Sequence, residues 1–220
     1  MRSFFCSKSL ENRLLFESLD YAKVSCVKII IQSNKDLLME ALDLLLNRRS
    51  IAKLSEPAPE GKALENIIRA GLRAPDHAGL TPWRFVIAQG DGLKKLSDIL
   101  VKAAEAENSE EAVVEKVKNA PFRAPMVITV IAKVTEHEKV PAFEQYLSAG
   151  CAAQAMQMAA VAQGFQGFWR SGKWMFHPEV HQAFGLEGED QIVGFLYLGT
   201  PGCTPMKVPE RDLSQFVEFQ

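Results

Sequence analysis

The sequence predicts an α+β domain in which helices cover a central, mostly antiparallel sheet. Three observations carry that prediction. From Met39 onward, helix-period segments alternate with short apolar runs. Two of those runs, 126–132 and 192–198, are apolar almost throughout, the pattern of strands covered on both faces. No Gly-x-Gly-x-x-Gly follows a strand, so a parallel dinucleotide-binding half is not supported.

The elements follow in order. Residues 1–38 differ from the rest, mixing Phe4, Phe5, Leu14, Leu15 and Phe16 with scattered charges and holding no Gly or Pro. Residues 10–19 read as a short helix and 28–32 as a short strand. The segment is read as a non-essential extension ahead of a domain spanning 39–220. The competing reading is a targeting or docking segment, and Glu11, Glu17, Asp20 and Asp36 argue against a transit peptide. Residues 39–47 form an amphipathic helix. A second helix spans 59–72, with Ile67, Ile68 and Leu72 on its apolar face. Residues 83–88 read as a strand ended by Gly90-Asp91-Gly92. Helices follow at 93–104 and 110–119, then the strand at 126–132, broken in apolarity only by Thr129. Residues 141–163 form a long helix rich in Ala, Met and Gln, roughly 35 Å at 1.5 Å per residue. Residues 165–170 are a short strand, and 178–184 a helix that Gly185 caps. The strand at 192–198 is stopped by Gly199-Thr200-Pro201.

Composition narrows the function. A chain of 220 residues with 47% hydrophobic and 24% charged residues is ordinary for a globular protein. Its net charge of -2 offers nothing for nucleic acid. Cys6, Cys26, Cys151 and Cys203 form no CxxC pair, which disfavours zinc and redox-pair chemistry and fits a reducing, cytoplasmic setting. Membrane spans need about 18 apolar residues, and the nearest run, 147–162, is interrupted by Ser148, Gln154 and Gln157. No nucleophile stands with its base: His137, His177 and His181 lie in mixed stretches, and no Ser sits in a Gly-x-Ser-x-Gly elbow.

The chemistry concentrates elsewhere. Arg48, Arg49 and Ser50 follow a largely apolar helical run; planar guanidiniums and a short hydroxyl suit a phosphate. The plainer reading is a basic pair answering the helix dipole. Arg73 and His77 flank Asp76 on a Pro-containing loop, where an Asp76 ion pair with either is the plainer reading. Trp169, Arg170 and Ser171 follow a strand and could wall a planar ring, against a Trp that simply fills the core. Trp83 reads as core.

These motifs, NRRS, RAPDH, TPWRF, NAPFRAP, SAGCAAQAMQMAAVAQGF, FWRSG and QIVGFLYLGTP, resemble the nitroreductase family of FMN-dependent oxidoreductases from Met39 to about Pro201. The resemblance implies a three-layer fold, a homodimer with FMN at its interface, and NAD(P)H as co-substrate. It implies hydride transfer through flavin N5 to nitroaromatic, quinone or similar acceptors. An FMN carrier or flavin-modifying oxygenase of the same fold is the alternative. By the same resemblance Arg48, Arg49, Ser50, Arg73, His77, Trp169, Arg170 and Ser171 meet FMN. Ala159, Ala160, Val161, Ala162, Gln163 and Gly164 lie along the nicotinamide nucleotide, where tight packing and capping are the plainer account. Two departures stand out. Ala52 occupies the position of a basic residue common after the RxS serine, with Lys53 one further on, and the Asn usual before the Trp is missing from 77–82. Arg73 with His77 are the natural substitutes at the flavin edge, and Lys207 or Arg211 could add a tail contact to the phosphate.

The long helix also predicts assembly. Ala149, Cys151, Ala152, Ala155, Met156, Met158 and Ala159 are too many for one buried stripe, so a surplus face should pack on a second copy in an isologous dimer.

Overall fold

The computed structural model describes residues 41–203 and 207–220. The expectations for residues 1–38, and for the first two residues of the helix at 39–47, lie outside that range.

The chain alternates as expected. Helix α1 is Ala41–Asn47, strand β1 Leu54–Ser55, helix α2 Gly61–Gly71 and strand β2 Trp83–Gln89. Helices α3, Asp91–Ala106, and α4, Glu111–Asn119, lead to β3, Met126–Ala132. Then come α5, Ala142–Ala162; β4, Gln166–Arg170; α6, Pro178–Phe184; and β5, Gln191–Pro201. Every strand pairing is antiparallel. The order is β1-β5-β3-β2, and β4 shares with β1 the outer edge of β5.

Strand alternation divides the core into two layers. Met126, Ile128, Val130 and Ala132 of β3 meet Ile67 of α2 and Ala149, Ala153, Met156 and Ala160 of α5. Val127 and Ile131 face the other way, onto Leu93, Leu96 and Leu100 of α3, Val117 of α4 and Val180 of α6. Helices therefore cover both faces of one sheet, the three-layer arrangement expected. Close approach of α2 to α5 depends on Gly71, where a Cβ would fall 2.8 Å from Met156 Cγ.

Several expected boundaries shift. Only Gly90 makes the turn after β2, with φ of 52°, and α3 already begins at Asp91. Leu72 lies past the end of α2 and is exposed rather than on its buried face. β5 does not stop at Gly199: Thr200 and Pro201 continue it, paired with Ser55 and Leu54 of β1, a strand with no signal of its own. Gly185 caps α6 in the left-handed conformation, as read.

The register of β3 on β5 slips once. Val130 faces Gly194 and Ile131 faces Ile192, leaving Val193 as an extra residue in β5. Of the long-helix set, Ala149, Ala152 and Met156 are buried, whereas Cys151 is exposed and Ala155 and Met158 are half-buried. Phe143 and Leu147 extend that outer stripe at four-residue spacing, 66% and 54% exposed. The apolar side of α1 is likewise open, with Leu42, Leu45 and Leu46 all exposed.

Candidate functional site

Arg48, Arg49 and Ser50 leave the end of α1. The Arg48 amide donates to the Leu44 carbonyl at 3.0 Å, finishing the helix, and Arg48 Nη1 donates to Ser50 Oγ at 3.3 Å. The two donor types thus converge on one spot, with both Arg side chains half-buried and Ser50 exposed. The next residue fixes that spot in the fold. Ile51 N donates to the Gly167 carbonyl in β4 at 3.2 Å, and Gln157 Nε2 of α5 donates to the same carbonyl at 3.0 Å. The basic segment is therefore held beside β4, level with Gln157 on the long helix. Ala52 and Lys53 follow, exposed.

Trp169 and Arg170 end β4, and as successive strand residues their side chains leave on opposite faces. Trp169 packs in the α5 layer. Its Nε1 donates at 3.2 Å to the carbonyl of Val193, the bulge residue. A Cβ on Gly194 would fall 2.0 Å from that nitrogen, so only glycine lets the indole seat there. Arg170 goes to the other layer, its guanidinium carbon 3.9 Å above the Phe168 ring. The two side chains cannot wall one slot together; a contact common to both runs through the backbone leading to exposed Ser171. Burial, then the charge of Arg123, pulls Arg170 below the ordinary guanidinium pKa.

His77 lies at the other end of α5, and Arg73 precedes it on the loop that leaves the end of α2, where Gly71 packs on Met156. Asp76 forms neither of the ion pairs considered from sequence. Its carboxylate instead accepts from the amides of Leu80, at 3.0 Å, and Thr81, at 2.8 Å, bracing a turn in which Ala78 and Thr81 have positive φ. His77 Nδ1 lies 2.7 Å from Glu144 Oε2 in the first turn of α5. Glu144 is the site neighbour that sequence reasoning missed, and no local signal connects residues so far apart. Trp83, read as core, is half-buried and packs against the α5-side core, its Nε1 donating to Ser148 Oγ at 3.0 Å. Between Glu144 and Gln157 the helix rises roughly 20 Å at 1.5 Å per residue. Within one chain, then, His77 stands about that far along the helix from Arg48–Ser50, while Arg73, two residues past the Gly71 that packs on Met156, lies between them.

At the far end of α5, Ala160 and Val161 are buried, Ala159 and Gln163 are half-buried, and Ala162 and Gly164 are exposed. The Gln163 side chain bridges to α2, accepting from Asn66 Nδ2 at 3.0 Å and donating to the Ala63 carbonyl at 3.3 Å. Lys207 and Arg211 are exposed in the tail. No helix among the described residues is long and apolar enough to cross a membrane.

A helix-covered antiparallel sheet with this strand order defines a nitroreductase-like fold. It superposes with a TM-score of 0.71 on the crystal structure of a nitroreductase-like family protein from Bacillus cereus, at 22% identity, over 83% of this chain and 96% of that one. A variant of the FMN and NADPH-dependent nitroreductase NfnB from Sphigopyxis sp. strain HMH gives 0.64 at 16% identity, over 83% and 99%. The sequence is more specific. The nitroreductase family model matches residues 45–200. The chain is 54% identical over 184 residues to the Escherichia coli (strain K12) protein named "Putative NAD(P)H nitroreductase YdjA", covering 82% of this chain and 100% of that one. It is 43% identical over 163 residues to a Haemophilus influenzae protein of similar name, covering 74% and 89%. The chain belongs to the nitroreductase family.

Proposed function

We propose that the protein is an FMN-dependent NAD(P)H oxidoreductase that reduces nitroaromatic, quinone or similar acceptors. The observation that carries this reading is the meeting of Arg48 and Ser50, with Arg49 between them in the chain, beside the strand that ends in Trp169 and Arg170 and leads to Ser171, with one carbonyl, Gly167, bonded by both the segment after them and the long helix. The donor set fits the cofactor: two guanidiniums and a hydroxyl suit a phosphate monoester. FMN, when bound, supplies acceptance of hydride from NAD(P)H at N5 and its onward delivery to the acceptor.

The chain's own residues bind and orient. Arg48, Arg49 and Ser50 hold the phosphate end. The backbone at Arg170 and Ser171 meets the ring edge, and half-buried Trp169 flanks it. With Ala52 offering no charge, Arg73 places a cation near the pyrimidine side, and His77, anchored on Glu144, stands with it. The exposed atoms at Ala162 and Gly164 offer a berth for the nicotinamide nucleotide beside the end of α5, formed by 159–164.

We further propose that the working unit is an isologous homodimer with FMN at its interface. The roughly 20 Å along α5 between His77 and Arg48–Ser50 within one chain supports it, since His77 of the same chain stands far from the phosphate grip. So does the open stripe of Phe143, Leu147 and Cys151 on α5. In that arrangement Arg48–Ser50 and Trp169–Ser171 come from one chain, and Arg73 with His77 from its partner.

An anaerobic absorption spectrum tests the reading. The purified protein should be yellow, and its oxidised flavin band should bleach on adding NADH or NADPH and return on adding an acceptor. A bound flavin that neither nucleotide bleaches makes the protein a flavin binder rather than a reductase; no flavin binding at all rejects both.

A further inference from the structure

A cavity of about 320 Å³ opens on the α3–α4 side of the sheet, the face opposite Trp169. Its volume suits a small organic ligand. Leu100, Val113 and Val117 form one wall, and Trp174, Phe195 and Tyr197 the other. Four cations also line it, Lys116, Arg123, Arg170 and Lys173, and no carboxylate does. Of these, Lys173 is paired with Glu107 at the mouth, whereas Arg123 and Arg170 have no carboxylate partner among the described residues.

Arg123 and Arg170 both line the cavity with no acid between them, so an anion placed there meets two guanidiniums. Stacking of Arg170 on Phe168 uses the face of its guanidinium and leaves the in-plane N–H donors to be satisfied. One of them, Nε, is buried with no hydrogen-bond partner. Tyr197 adds to the same side. Burial raises its pKa against the opposite pull of Arg170 and Arg123, so the phenol remains a neutral O–H.

We propose that this cavity binds a small organic carboxylate with a flat apolar body, its acid group held between Arg123 and Arg170 and its body between the aliphatic and aromatic walls. The site is separate from the proposed flavin site, because the sheet lies between the cavity and Trp169. The two share a loop: Ser171 and Gly172 line the cavity from behind. A consequence that rests on the FMN reading is that occupancy alters the flavin environment without displacing the flavin.

The test is calorimetric titration of the full-length, flavin-loaded protein with 1-naphthoate, with flavin absorbance followed in parallel. The expected result is saturable binding, one per chain, with flavin retained and its spectrum shifted. Uncharged 1-naphthamide should bind at least tenfold more weakly, and so should 1-naphthoate to Arg123→Gln, an exposed position whose change leaves the core intact. Val113→Trp, which fills the cavity, should abolish binding. Equal affinity for the amide, or unchanged affinity in Arg123→Gln, overturns the proposal. Flavin release in proportion to naphthoate bound also overturns it, since the cavity would then belong to the flavin site. Should the protein carry no flavin, the oxidoreductase reading fails, while the naphthoate titration still decides this one.

Discussion

Gly194→Ala is the sharpest perturbation the fold offers. The new methyl would lie 2.0 Å from Trp169 Nε1, 2.5 Å from its Cδ1 and 3.1 Å from the Arg170 carbonyl. β5 cannot retreat to make room, because β3 holds one of its edges and β4 the other. The indole must leave. Overpacking of this kind costs about 1–3 kcal/mol. The displaced Nε1 also abandons the carbonyl of Val193, the bulge residue, and an acceptor left unsatisfied away from water costs about 1–3 kcal/mol more. A total loss of about 2–6 kcal/mol is a large part of the roughly 5–15 kcal/mol that holds a typical domain together. Urea unfolding followed by far-UV circular dichroism, at fixed protein concentration and saturating FMN, reads the loss directly. Tryptophan emission should shift to the red as the ring gains water. A partner variant isolates the cause: in Trp169→Leu the space is already vacated, so Gly194→Ala added to it should cost far less than in the wild type. The reasoning is refuted if Gly194→Ala alone unfolds within about 0.5 kcal/mol of the wild type with unchanged emission.

Four further outcomes are expected. Arg48→Ala should fold normally but bind FMN about ten- to a hundred-fold more weakly, the worth of a charge-assisted phosphate contact, as read by flavin fluorescence titration. Arg73→Gln should lower the midpoint potential of bound flavin, because the reduced form loses a nearby positive charge; an unchanged potential passes that role to Lys53. Ala155→Glu should dissociate the proposed dimer and release flavin with it in sedimentation at matched concentrations, whereas a variant that stays dimeric refutes α5 as the interface. The last concerns acid. Burial alone would raise the Asp190 pKa, but the Lys133 ammonium at 2.7 Å and the amides of Val134 and Glu187 more than offset it, so the net shift is downward. The stability this carboxylate contributes is therefore complete above its unfolded pKa and is lost as pH falls through the depressed native value. Asp190→Asn should flatten that acid limb of the stability curve, measured by urea midpoint against pH.

What the sequence reveals depends on how local the cause is. β3 is legible because burial on both faces makes every residue apolar, and α5 because its caps, Pro141 and Gln163, lie within a residue of the expected ends. β1 is not: two residues carry no period, and the strand exists only because β5 runs on through Gly199-Thr200-Pro201, a tripeptide that reads locally as a stop. Gly199 is glycine there for a distant reason, since a Cβ would fall 2.7 Å from Pro125 Cδ and 2.9 Å from the Ser55 carbonyl. The site divides in the same way. The guanidiniums at Arg48 and Arg49 announce an anion grip by residue type alone, but their anchorage on Gly167 spans more than a hundred residues. Asp76 looked like an ion-pair partner for its neighbours, and two backbone amides claimed it instead. The opposite directions of Trp169 and Arg170, by contrast, follow from the strand period alone.

The Gly167 carbonyl carries two donors, one from the basic segment and one from the long helix. That shared acceptor makes a mechanical joint. Any axial slip of α5 drags Gln157 with it and loosens the bond that seats Ile51, so the helix cannot be repositioned while the guanidiniums stay aligned. A change of partner along the outer stripe of α5 would thus be felt at the anion grip as a displacement, by way of a single oxygen atom.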